Sequence, residues 1–208
     1  MSALLDSLAS AFSGDATRRA ALDDALRDGL PGPRSEAWKY TSLRQLERRS
    51  FAPVSAAPTV DPELLAGIPA PRLVFVNGVH APSLSMTDGL AEGIELRPMS
   101  ASAAEGSEAA RFLGRRFERG DEVFARLNAA LANEGVLLRI EENVRIGEPL
   151  HLVFLGTSDG ADRAWHLRNF IELRAGAALT LVEHHLQAAS HANLANALSH
   201  VHLARGAR

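Results

Sequence analysis

Leu4, Leu5, Leu8 and Phe12 recur at helical spacing from the start of the chain, and Ala21, Leu22, Ala25 and Leu26 repeat that period before Gly29. The spacing predicts one or two helices over residues 2 to 30. Pro31, Gly32 and Pro33 then forbid continuation, and Ser35 can cap a short helical turn in "SEAWKYTSLRQL". Five prolines among small residues make 52–71 linker-like, with a brief turn of helix at "PELLAGI". "RLVFVNGVH" follows. Its apolar β-formers flank Asn77-Gly78, the pair a type I′ hairpin turn requires, which predicts a hairpin near 73–80, and "GIELRPM" is a further candidate strand. The helical period returns from 107 to 133. Phe112, Leu113 and Phe117 mark one segment, and Val123, Phe124, Leu127 and Leu131 mark a second, with Gly135 predicted as the C′ residue that stops it.

After Gly135 the period changes from 3.6 to 2. "VLLRIEENVRIGEPLHLVFLG", "AWHLRNFIELRAGAALTLVEHHL" and "NLANALSHVHLARGAR" read as short strands broken by glycine and by Glu-Glu-Asn. "IELRAGA" (171–177) aligns with "VHLARGA" (201–207), pairing Ile171 with Val201, Leu173 with Leu203 and Gly176 with Gly206. A fixed offset of this size is the mark of stacked supersecondary units. The physical reading is a β-solenoid of strand, tight Gly-Ala corner and strand. The alternative is a coincidence of two glycine turns between ordinary antiparallel strands. The expected fold class is mixed α and β. A mostly helical region with a short hairpin spans 1–134, and the first coils of a right-handed parallel β-helix span 135–208.

Composition narrows the chemistry. The 208 residues carry a net charge of −3 with scattered basic side chains, so no nucleic-acid footprint is present. There is no cysteine, which removes disulfides, thiolate nucleophiles and Cys-ligated zinc or iron–sulfur sites from this chain. No apolar run approaches the roughly 18 residues of a membrane span, and the first residues lack a basic n-region. The expectation is a soluble cytoplasmic protein. No dinucleotide fingerprint, P-loop, nucleophile elbow or H-E-x-x-H occurs.

Histidine is the functional type in excess. His184, His185, His191, His200 and His202 crowd the last 25 residues. On a strand, His200 and His202 share a face and could begin a metal site. Val201 and Leu203 then form the core-facing set, and the two histidines point outward, to solvent or a partner. His184 and His185 fall on opposite faces. No carboxylate completes a triad within one strand, so these histidines are expected to be surface or interface residues. No catalytic, metal or cofactor-binding residue is assigned.

"GLPGPRSEAWKYTSL" resembles the opening signature of the SufB/SufD family, nearest its SufD branch. "LVFVNGVHAPSLS", "FARLNAALANEGVLLRIEENVRIGEPLHLVF", "RNFIELRAGAALTLVEH" and "NALSHVHLARGA" resemble later family segments in the same order, over nearly the whole chain. The resemblance implies a non-enzymatic scaffold subunit of SUF iron–sulfur cluster assembly, working with SufB-like and SufC-like subunits. The cluster and the ATP on the SufC-like ATPase belong to the complex, and this chain has no cofactor of its own. Family members continue through more β-helix and a C-terminal helical domain, and the resemblance puts their proposed functional histidine in that C-terminal half, so none of their site residues carries over. The chain stops at Arg208, just past a Gly-Ala corner, so self-association through an open β-helix end is a further expectation. Two other readings remain: a small His-dependent metalloenzyme and a plain β-solenoid interaction module. Trp38 and Tyr40 are expected to be anchors pinning the helical region to the body, with Trp38→Ala costing about 3 to 5 kcal/mol.

Overall fold

A computed structural model describes residues 2–101 and 117–208. It is a mixed α and β protein. Four α-helices occur among the described residues: α1 (Ala3–Ser10), α2 (Ala16–Asp28), α3 (Arg44–Glu47) and α4 (Val123–Leu131). Nine strands accompany them: β1 (Ala52–Pro53), β2 (Arg72–Val76), β3 (Val79–His80), β4 (Ile94–Pro98), β5 (Val136–Ile140), β6 (Leu150–Gly156), β7 (Arg163–Leu173), β8 (Leu181–Gln187) and β9 (Leu194–Leu203). The helix expected around Phe112 and Leu113 lies outside the described residues.

From β5 onward, successive strands alternate between two sheets. β5, β7 and β9 pair in parallel in one sheet, which also holds β1 and, antiparallel to β5, β4. β6 and β8 pair in parallel in the other, where β2 lies parallel to β6 and carries the β2–β3 hairpin. The 30-residue offset read from the sequence is a real register: Ile171 pairs with Val201 and Leu173 with Leu203 on adjacent strands. The corners stack too. Asn143, Gly176 and Gly206 all have left-handed backbones (φ 60°, 71° and 73°), and a Cβ on Gly206 would lie 3.9 Å from the Gly176 backbone.

The side-chain alternation of each strand feeds a different core. Phe75, Leu138, Leu152, Phe154, Ile171 and Leu173 meet between the two sheets. On the outer face of the first sheet, Leu4, Leu8, Leu22, Val123 and Leu127 pack the helices over Ala164. On the outer face of the second, Val74, Val76, Val153 and Leu155 are covered by Leu65, Ile68, Ala81 and Leu84. Every residue of β6 is therefore buried, as expected of a parallel strand covered on both faces.

Two local expectations need correction. Gly135 is not the helix stop. α4 ends at Ala132 in extended backbone, and Gly135 is instead where the chain joins β7 in parallel at close range: an added Cβ would sit 2.0 Å from the Arg168 carbonyl oxygen. Tyr40 is not an anchor. It is 92% exposed, with Lys39 over its ring. The reason is local geometry: Trp38 closes a 3₁₀ turn (Glu36–Trp38), and Tyr40 lies two residues beyond that turn's end.

Trp38 itself is half-buried, its indole N–H donating to the Asp121 carbonyl at 2.9 Å and its ring 5.4 Å from Phe124. Trp38→Ala is therefore expected to cost about 1 to 2 kcal/mol, below the cost of a fully buried aromatic. Tyr40→Ala is expected to stay within about 0.5 kcal/mol of the parent. Urea midpoints of both variants check this, and equal losses at the two positions would contradict it.

Candidate functional site: an open pair of strand edges and a histidine-lined cleft

The five C-terminal histidines do not converge. His184 lies on the outer face of the second sheet, its Nε2 2.9 Å from Nδ1 of His151. Its neighbour His185 faces the other way, stacked on Phe154 and 3.3 Å from the Glu183 carboxylate. His191 stands edge-on to Trp165 and accepts the Asn193 N–H. Gly156 is what lets it approach, since a Cβ there would lie 2.3 Å from His191 Nε2. On β9, His200 sits 3.2 Å from the Arg168 guanidinium and His202 is exposed on the same face. Among the described residues, no three His, Asp or Glu side chains are grouped so as to hold a metal ion.

Val201 and Leu203 occupy the opposite face of β9, as alternation requires, yet they are 60% and 53% exposed. Their partners one strand back, Ile171 and Leu173, are buried. The difference is position. β9 pairs only with β7 and β8 only with β6, so each has one edge with no strand beyond it among the described residues. Those edges present unpaired backbone groups, a template for further strands.

A second feature is a cleft of about 290 Å³ where the α1–α2 link, β1, the hairpin tip, the end of α4 and β7 meet. Phe51, Gly78, Glu134, Trp165 and His166 line it. The hairpin tip is fixed by Asn77, whose fully buried amide donates to the Thr157 carbonyl (3.0 Å) while accepting the Thr157 N–H (2.9 Å). Only glycine fits next to it: a Cβ on Gly78 would lie 2.5 Å from the Trp165 side chain. Glu134 is held by the Ser100 and Gly135 N–H groups, both at 3.0 Å to Oε1.

His166 is 7% exposed. The Asn196 amide nitrogen donates to the Phe124 carbonyl (2.8 Å) and lies 3.1 Å from His166 Nδ1. With that amide donating, Nδ1 is the acceptor and the ring proton sits on Nε2. Nε2 is buried and has no hydrogen-bond partner among the described residues. Burial pushes the His166 imidazole down to about 4. As pH falls through 6.5 the unfolded histidine takes a proton that the folded one refuses until about pH 4, so stability drops over that window, by roughly 3 kcal/mol for this group. Urea denaturation at pH 7 and pH 4.5 should show the loss, and His166→Phe should reduce it. A pH dependence identical in both chains would contradict the assignment.

Neither His166 nor Asn196 stands out in the sequence. The signal that pairs them is the same 30-residue offset that aligns Leu173 with Leu203.

A family model described as the SufBD protein N-terminal region matches residues 5–152. The chain belongs to the SufBD family. It is 32% identical over 162 residues to an iron–sulfur cluster assembly SufBD family protein of Synechocystis, covering 74% of this chain and 35% of that protein. It is 29% identical over 185 residues to the iron–sulfur cluster assembly protein SufD of Escherichia coli, covering 83% of this chain and 40% of that protein. The chain thus spans well under half the length of these SufBD relatives. The family match runs from α1 into β6, and β7 to β9 with the open edges lie past it. Among the described residues, no helix is long and apolar enough to cross a membrane.

Proposed function

We propose that this chain is a SufD-like scaffold component of iron–sulfur cluster assembly, acting by assembly with SufB-like and SufC-like subunits in the cytoplasm. It performs no chemistry of its own. The cluster is the cargo of the complex, and ATP is handled by the SufC-like subunit. The alternating strands are the first coils of a right-handed parallel β-helix, which continues from the open edges of β8 and β9. The reading rests on the family match, and those two parallel edges, with Val201 and Leu203 left exposed beside them, support it.

Co-expression of the tagged chain with SufB-like and SufC-like subunits tests the reading, with SufB-like protein expected in the eluate. The double variant Val201→Asp, Leu203→Asp should keep its urea midpoint, because both side chains are exposed, while losing that partner and any self-association of the chain alone. Retention of neither subunit, together with one zinc or iron per chain that disappears when His200 and His202 are both replaced, would reverse the reading in favour of a metalloenzyme.

A further inference from the structure

We propose that residues 34–49 form a docking surface for an acidic segment of a partner protein, with Tyr40 as the ring it packs on and Arg34, Arg44 and Arg48 as the charges it neutralises. This stretch holds five basic and two acidic side chains, a surplus of three positive charges in a chain whose net charge is −3. Two of the five are engaged within the fold: Lys39 with Glu36, and Arg49 with the Asp162 carboxylate and the Ala192 carbonyl. Arg34, Arg44 and Arg48 are exposed and make no ion pair among the described residues. On the single turn of α3, Leu46 packs into the helical core, so Arg44 and Arg48, four residues apart, share the side turned away from it. Tyr40 precedes Arg44 by four residues, which keeps their backbones within about 14 Å of each other.

The surface is held in place before any partner arrives. The Trp38 and Thr41 N–H groups close turns onto the Ser35 and Trp38 carbonyls, both at 2.9 Å, and the Trp38 indole ties the segment to Asp121. At the other end, buried Phe51 and the bonds of Arg49 fix the chain. Side chains on an anchored backbone lose less freedom on binding, and tyrosine and arginine are the types that dominate interface energies. The charge pattern selects the partner. Glu47, exposed and unpaired among the described residues, stands between Arg44 and Arg48 and would repel the uniform charge of a nucleic-acid backbone. Carboxylates on a peptide can be spaced around it, and an apolar residue among them can lie on the Tyr40 ring. The surface includes no residue of β8 or β9, and it stands whether or not those edges bind a partner.

The probe is a fluorescein-labelled octapeptide of glutamates with two leucines, titrated with the full chain at low salt and followed by fluorescence anisotropy. Saturable binding is expected. Arg44→Glu combined with Arg48→Glu should weaken it by at least about tenfold. Tyr40→Ala, which leaves the charge unchanged, should weaken it by about fivefold with the same salt dependence. Arg145→Glu combined with Arg205→Glu makes an equal charge change at exposed positions outside the surface, and affinity should stay within about twofold of the parent's. Should the Arg44 and Arg48 double variant not fold, Tyr40→Ala and the Arg145 and Arg205 pair decide between them. Absence of saturable binding, an equal loss from the Arg145 and Arg205 pair, or full affinity in Tyr40→Ala would each overturn the proposal. Tighter binding of an oligothymidylate of the same charge would overturn it as well, in favour of a nucleic acid.

Discussion

Gly135→Ala is expected to abolish cooperative folding, or to lower stability by at least about 4 kcal/mol, at the extreme of single-substitution effects. The new Cβ would lie 2.0 Å from the Arg168 carbonyl oxygen, 2.6 Å from its carbon and 2.9 Å from its nitrogen. All three are backbone atoms of β7, held by the Arg168 N–H bond to the Glu134 carbonyl (3.0 Å) and by the full length of the β7–β9 ladder. Neither strand can retreat. The Gly135 carbonyl also accepts the Met99 N–H at 2.9 Å, so any shift of this residue pulls on β4. Gly147→Ala is the control. Nothing lies within 4 Å of its position, and it should be neutral or stabilising by up to about 1 kcal/mol through the unfolded chain. Urea unfolding followed by circular dichroism separates the two, and a Gly135→Ala midpoint close to the parent's would refute the close-approach account.

Phe75→Ala is expected to cost about 3 to 5 kcal/mol, the range for truncating a fully buried aromatic. Phe75 is fully buried between the two sheets and begins a ladder of rings that climbs the second sheet in register. Phe75 stacks on Phe154 at 5.7 Å, and Phe154 on His185 at 5.2 Å. Emptying the first rung leaves a cavity that the fixed strand spacing prevents from collapsing. Phe75→Leu should cost less than about half as much, since most of the volume is kept. Thermal or urea unfolding of the two variants gives the comparison, and equal losses would show that ring stacking rather than volume dominates.

Much of this architecture was legible in the sequence because its determinants are local. Strand alternation from Val136 to Leu203, the Asn77-Gly78 turn and the repeat that pairs Leu173 with Leu203 all follow from side-chain period and glycine chemistry. What escaped depends on contacts between distant segments. The role of Gly135 is set by Arg168, and the tautomer of His166 by Asn196, whose amide the Phe124 carbonyl orients. Tyr40 is a large ring that local pattern reads as an anchor, yet it stands almost fully in solvent with its neighbour Lys39 over the ring. The histidine pair follows the strand alternation read from the sequence. Adjacent in sequence, His184 and His185 serve opposite faces of one strand, and the spacing of the remaining three spreads them over a corner and an edge.

The parallel pairing of β2 with β6 has a consequence for synthesis. "RLVFV" leaves the ribosome about eighty residues before the strand that will shield its edge, and at roughly 5 to 20 residues per second that delay is about 4 to 16 s. During it, Leu65, Ile68, Ala81 and Leu84 can cover the Val74 and Val76 face, but the edge that β6 will pair and the face that packs on the other sheet stay uncovered. Such a segment is a natural client for holding chaperones, and slower decoding between Gly78 and Pro149 would lengthen its exposure. Translation speed over that stretch therefore becomes a determinant of soluble yield, independent of the final stability of the protein.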